Sequence, residues 1–207
     1  MNIRLAHIKP SYMEAADVAN SEVYLQKEVL FVQGKKYLIK ANSGQGKSSL
    51  LNFIYGLNTN FEGEIHYDTT TDFSSRSKTQ ISYIFQDFKL FSSLTVWENL
   101  VLKNELTHYK TDEAMQEMLQ KVGLWAKKDQ LVDKLSLGQR QRIAIVRALC
   151  QPFEWLLLDE PFSHLDEDNI SILTTLINEE LVKNKAGMLL TSLGSDYLFE
   201  YDTILKL

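Results

Sequence analysis

Ala41-Asn42-Ser43-Gly44-Gln45-Gly46-Lys47-Ser48-Ser49 decides how the rest of this chain is read. An apolar run, Tyr37-Leu38-Ile39, precedes it, and Leu50-Leu51-Asn52-Phe53-Ile54-Tyr55 follows. The order is strand, glycine-rich turn, helix, with Gly-Lys-Ser at the junction of turn and helix. That context makes a phosphate-binding loop physically sensible. Backbone N–H groups from Asn42 to Ser49 can wrap phosphate oxygens, and the helix N-terminus adds partial positive charge. Lys47 supplies a full charge and Ser48 a hydroxyl suited to Mg²⁺. The usual first glycine of such a loop is Ala41 here, whose β-carbon disfavours positive φ. Either Ala41 takes ordinary φ or the loop is reshaped.

Outward from this loop, period-2 and continuous apolar runs predict strands at 3–8, 23–25, 29–32, 63–67, 81–85, 155–158, 188–191 and 203–207. The alternation at 3–8 reads as an edge strand, residues 14–21 as a loop, and the Thr- and Ser-rich stretch 68–78 as a surface loop. Helical period takes over at 95–104, 112–122 and 139–149. This block lies between two strands and reads as an inserted helical subdomain, roughly 88–150. Ile170, Leu173, Ile177 and Leu181 line one face of a further helix.

With 207 residues, 44% hydrophobic and 24% charged, the chain suits one domain spanning 1–207. A net charge of −5 argues against nucleic acid as a partner. The single cysteine, Cys150, follows an apolar helix and reads as a buried structural thiol. No signal peptide is visible, and no run approaches the ~20 apolar residues of a membrane span. A role at a membrane would need spans from another chain.

Two more stretches carry chemistry. Leu156-Leu157-Leu158-Asp159-Glu160-Pro161 puts two carboxylates at the C-terminal end of a buried strand, where open α/β sheets bind ligands. Asp159 can hold Mg²⁺, and Glu160 can act as base toward a water. Leu135-Ser136-Leu137-Gly138-Gln139 starts a helix on a good N-cap, Ser136, with backbone donors at Gly138 and Gln139. That start is either a plain capped helix or a second anion-binding end.

These stretches, with Gln86 after a strand and Ser163-His164-Leu165-Asp166, occur in the order found in ATP-binding subunits of ABC transporters, which the chain resembles over nearly its whole length. The resemblance implies an α/β P-loop NTPase fold: a RecA-like parallel-sheet core, an N-terminal antiparallel β subdomain and the inserted helices. It implies a dimer around two ATP, each on one chain's phosphate loop and against Ser136, Gly138 and Gln139 of the other. Gln86 would contact Mg²⁺ and the attacking water, together with Ser48 and Asp159 as metal ligands. Asp166 would cross the dimer interface. Tyr12 is the candidate for stacking on adenine, with Tyr24 as the fallback. Ser192 stands where the family usually has a histidine that contacts the γ-phosphate and orients Glu160, so hydrolysis is expected to persist but slowly.

The implied function is ATP hydrolysis driving a separate integral-membrane permease, at the cytoplasmic face of the cell membrane, with a second ATP-binding subunit, identical or not. The stretch 84–99 looks like the export and lipoprotein-release branch. The alternative is an ATP-driven membrane-linked switch that moves no solute. A P-loop small-molecule kinase would lack the Ser136–Gln139 element.

Overall fold

A computed structural model describes residues 1–68 and 80–207. Most of the stretch read as a surface loop, 69–78, falls outside the described residues.

Two sheets organise the chain. Strands β3 (Lys36–Lys40), β5 (Ile81–Ile84), β6 (Trp155–Asp159), β7 (Gly187–Ser192) and β8 (Thr203–Lys206) form an all-parallel sheet in the order β5-β6-β7-β3-β8. Strands β1 (Asn2–Pro10), β2 (Val29–Phe31) and β4 (Phe61–Asp68) form an antiparallel sheet in the order β2-β1-β4. The fold is the α/β P-loop architecture expected from the sequence.

Alternation along β6 explains how the parallel sheet is held. Leu156 and Leu158 face one hydrophobic cluster, while Trp155 and Leu157 face the other, and all four are fully buried. The first cluster packs helices α2 (Val96–Asn104), α3 (Asp112–Lys121), α4 (Leu137–Ala148) and α5 (Glu167–Asn184) onto one face. The second packs α1 (Lys47–Tyr55) and the antiparallel sheet onto the other. A strand covered on both faces needs a continuous apolar run, which is what Trp-Leu-Leu-Leu provides.

Helices α2, α3 and α4 lie between β5 and β6 in the chain. Each starts on an oxygen-bearing cap: Thr95, Thr111 and Ser136. Helix α4 starts at Leu137, two residues before the expected start, because Ser136 caps it.

Three sequence expectations are corrected. β1 is the central strand of its sheet, paired on both sides, not an edge. Residues 23–25 are a turn rather than a strand; Val23 and Tyr24 are apolar because they are buried, and Leu25 has φ of 59°. The stretch 14–21 contains a 3-10 turn, Ala15–Val18, which buries Val18. Cys150 is fully buried, and burial pushes its thiol up to about 12. Among the described residues no helix is long and apolar enough to cross a membrane.

Candidate functional site

The site lies at the carboxyl ends of β3, β7 and β6, which are adjacent in the sheet. The loop leaving β3 is stitched to β7 by Ala41 N–H to the Ser192 carbonyl, 3.2 Å. The turn leaving β6 is stitched to the same strand by Glu160 N–H to the Thr191 carbonyl, 3.3 Å. β7 therefore sets the spacing between the phosphate loop and the carboxylates.

Ala41 takes ordinary φ, and Gly44 and Gly46 take the positive values, 81° and 87°. Gly46 is the N-cap of α1 and has no side chain to accept from the first turn, so those N–H groups are left for another acceptor. Glycine is also demanded there by space, since a β-carbon would stand 2.8 Å from the Tyr24 hydroxyl oxygen. Inside the loop, Asn42 N–H donates to the Gln45 side-chain carbonyl at 2.6 Å. Lys47 is buried. Its ammonium donates to the carbonyls of Ala41 and Asn42, both 2.9 Å, and pairs with Glu160 at 3.1 Å.

Asp159 is buried at the end of β6. Burial raises its carboxyl above the ordinary range, while hydrogen bonds from Ser48 and Thr191 pull the other way. The Thr191 hydroxyl is 2.8 Å from Asp159 Oδ1. Ser48, Gln86 and Asp159 line one cleft of about 330 Å³. Tyr12, Ser43, Gly44, Lys47, Gln86 and Glu160 line another of about 200 Å³, which shares Ser48 and Gln86 with the first. Hydroxyl, amide oxygen and carboxylate are the hard oxygen donors a Mg²⁺ ion takes when substrate phosphates complete its shell. Among the described residues no cluster of three or more His, Cys, Asp or Glu could hold a metal by itself.

The Tyr12 ring is 58% exposed beside the loop, and its hydroxyl meets Ser49 Oγ at 2.6 Å. Tyr24, the fallback for stacking, is excluded from that role. It is buried, and its hydroxyl donates to the Gly46 carbonyl at 2.7 Å, which makes it a support of the loop.

Ser192 does not aim into the site. It is 1% exposed; its hydroxyl donates to the Ser195 carbonyl at 2.7 Å and accepts from Gly194 N–H at 3.0 Å. The expected catalytic role for its side chain is therefore not supported by its geometry: the one hydroxyl proton closes the turn that follows β7.

Ser136, Gly138, Gln139 and Asp166 form a separate group. Ser136 and Gln139 cap each other: Gln139 N–H donates to Ser136 Oγ at 3.3 Å, and Ser136 N–H to Gln139 Oε1 at 3.1 Å. The Gln139 backbone donor is thus engaged, where the sequence reading took it as free. Asp166 caps α5, accepting from the backbone N–H of Asn169 at 2.9 Å and its side-chain amide at 2.8 Å. These bonds hold the Asp166 carboxyl below the usual range.

Gly138 packs close to the segment that carries Asp166, since a β-carbon on it would be 3.0 Å from the His164 carbonyl. His164 N–H donates to the buried Gln141 side chain at 3.2 Å. Arg142 Nη1 donates to Asn169 Oδ1 at 2.7 Å and to the Val122 carbonyl, at the end of α3, at 2.9 Å. Sequence reasoning gave Tyr24 the wrong role and missed Thr191, Gln141, Arg142 and Asn169. For Thr191 a signal existed, as the last hydroxyl before Ser192 on a strand bordering the acids. The others owe their roles to contacts between distant segments.

The model of the family described as ABC transporter matches residues 28–163. The thiamine import ATP-binding protein ThiQ of Histophilus somni is 35% identical over 179 residues, covering 84% of each chain. The methionine import ATP-binding protein MetN 1 of Acinetobacter baylyi is 40% identical over 161 residues, 72% of this chain and 45% of that one. A solved structure from Pyrococcus furiosus, of an ATP-binding protein assigned to the ABC transporters, aligns over all of this chain and 98% of its own. Its TM-score is 0.80 at 20% identity, a likeness of fold.

Proposed function

The chain belongs to the ABC transporter family as an ATP-binding ATPase subunit, and from that premise we propose how its residues divide the work. The chain acts as one ATP-binding unit, 1–207, whose phosphate loop from Asn42 to Ser49 cradles the nucleotide with backbone N–H groups and the start of α1. Lys47 neutralises charge on the β- and γ-phosphates. An arriving phosphate competes with Glu160 for the Lys47 ammonium, which couples nucleotide binding to release of the carboxylate. Tyr12 stacks on the base.

Ser48, Gln86 and Asp159 hold Mg²⁺. The ion, when bound, neutralises charge developing on the transferred phosphoryl group. Glu160 accepts the proton of a water that attacks the γ-phosphorus; the bond to the β-phosphate oxygen breaks, leaving ADP and phosphate. Gln86 helps orient that water.

A second ATP-binding subunit completes each site with Ser136, Gly138 and Gln139, and Asp166 crosses the interface. The dimer drives an integral-membrane permease, which keeps it at the cytoplasmic face of the cell membrane. The two relatives compared above are import proteins by name, and so lend no support to the export and lipoprotein-release branch that 84–99 resembles.

The observation that carries this reading is the convergence of Lys47, Ser48, Asp159 and Glu160 from two non-adjacent strands onto the edges of two linked clefts. The test is Glu160→Gln. ATP binding is retained, turnover falls about a hundredfold or more, and the full chain becomes dimeric on adding Mg-ATP, as read by size-exclusion chromatography with light scattering. Turnover near that of the unaltered chain would remove Glu160 from the role of base.

A further inference from the structure

Strand β7 is buried from end to end, and the apolar Met188, Leu189 and Leu190 lead directly to a threonine. Thr191 is fully buried. A hydroxyl taken out of water costs stability unless it is hydrogen-bonded, so its place here demands a partner. The register supplies one. In the parallel sheet Thr191 is paired with Asp159 of β6 on one side and with Ile39 of β3 on the other. Side chains paired across neighbouring strands project to the same face. Thr191 therefore stands beside Asp159, on the strand that separates the acids from the strand leading into the phosphate loop.

The hydroxyl has one proton and two acceptors within reach: Asp159 Oδ1 at 2.8 Å and the Leu158 carbonyl at 3.4 Å. The carboxylate is nearer and charged, and takes the proton. The hydroxyl oxygen in turn accepts from the Glu160 N–H at 3.3 Å, the same N–H that reaches the Thr191 carbonyl at 3.3 Å. Glu160 has φ of 48°, a left-handed conformation that persists where neighbours enforce it. One side chain thus holds an oxygen of Asp159 and helps to hold the turn into Glu160. It lines neither cleft of the site.

We propose that Thr191 is a positioning residue for Mg²⁺ binding: its O–H fixes one oxygen of the Asp159 carboxylate, so that the other is presented to the ion alongside Ser48 and Gln86. The proposal rests on the assignment of Asp159 as a metal-holding residue made above. Thr191 itself touches neither ion nor nucleotide. Without its hydroxyl, the Asp159 carboxylate loses the partner that orients it, which weakens the hold on the ion and not on the nucleotide. The Glu160 N–H keeps its bond to the Thr191 carbonyl, so the base stays in place.

The test uses the full chain and two substitutions. Thr191→Val keeps the branched shape and removes the hydroxyl; Thr191→Ser keeps the hydroxyl and drops a methyl. Mn²⁺ is titrated into chain held in excess over a non-hydrolysable ATP analogue, with bound ion read by electron paramagnetic resonance. This gives affinity for the ion apart from turnover, and calorimetric titration of the analogue in EDTA gives affinity for the nucleotide alone. The ion's Kd is expected to rise about tenfold in Thr191→Val, with analogue affinity in EDTA unchanged, and to keep its unaltered value in Thr191→Ser. In steady-state hydrolysis the Mg²⁺ requirement rises in step, while kcat at saturating Mg²⁺ stays within about threefold. An unchanged Kd for the ion in Thr191→Val overturns the proposal. So does an equal loss of analogue affinity in EDTA, or a rise in Thr191→Ser as large as in Thr191→Val, since either marks the residue as structural. If Thr191→Val does not fold, Thr191→Cys, with its weak S–H donor, takes its place, and a Kd that does not rise overturns the proposal equally. Asp159→Asn, run in parallel, separates the two readings. If it leaves the ion's Kd unchanged, the metal assignment itself fails; if it raises the Kd while Thr191→Val does not, only the role of Thr191 fails.

Discussion

At position 41 the missing glycine turns out not to matter for backbone conformation. Ala41 takes ordinary φ and is buried, with its backbone N–H bonded to the Ser192 carbonyl. Putting glycine there would add freedom to the unfolded chain and remove a packed methyl. Ala41→Gly is expected to leave ATP affinity within about twofold while lowering stability by about 0.5–1 kcal/mol. Isothermal titration and urea denaturation measure the two effects. Gly46 is the opposite case: it combines φ of 87° with a close approach to the Tyr24 hydroxyl. Gly46→Ala is expected to strain the loop and weaken ATP binding at least about tenfold, a loss of ~1.4 kcal/mol or more, in the same titration. Nothing in the sequence distinguishes these two positions, because the distinction lies in φ and in a tyrosine 22 residues away.

At the scale of elements, capping links folding to the site. The Asp166 carboxyl is held below its ordinary range by the Asn169 backbone and side-chain bonds. Its folded value lies below its unfolded one. The cap is therefore fully stabilising above the unfolded value and is lost as pH falls through the folded one. Asp166→Asn keeps a cap without the charge, so the acid limb of stability against pH flattens, as followed by denaturation at a series of pH values. A second element pair is more costly. Lys110 and Glu180 form a buried ion pair between the segment preceding α3 and helix α5. Burial lowers the Lys110 ammonium from its ordinary value. Glu180→Ala leaves that cation without its partner and is expected to cost about 3–5 kcal/mol, whereas the double change Lys110→Met, Glu180→Leu is expected to be neutral or stabilising. Urea titration of both variants decides it. Elements with a strong period or a good cap, such as β6 and α2, were legible in the sequence. β1 was misread as an edge because alternation counts faces and not neighbours. The turn at 23–25 was misread because a buried turn is as apolar as a strand. The phosphate loop and the acids were legible as local motifs, but the support that Tyr24 gives the loop was not, since its bond to the Gly46 carbonyl joins residues from separate segments of the chain.

Across the molecule, the sheet divides two hydrophobic clusters, and the thiol of Cys150 belongs to the helical one. With the thiol pushed up to about 12 and fully buried, the native chain is expected to resist a disulfide reagent and to react once urea unfolds it, as absorbance at neutral pH will follow. Immediate reaction in the native state would show that the helical cluster opens readily. The same side of the molecule carries the capped start of α4 and the segment bearing Asp166, joined through Gly138 against His164, through Gln141, and through the run from Val122 to Arg142 to Asn169 to Asp166. For protein engineering this makes the proposed pairing face a two-pronged plug cast in one piece. A subunit redesigned to accept a different partner is then expected to need both prongs reshaped together: a change at Arg142, which bonds the Val122 carbonyl and Asn169, is expected to disturb both, and mates must be matched as plug and socket rather than residue by residue.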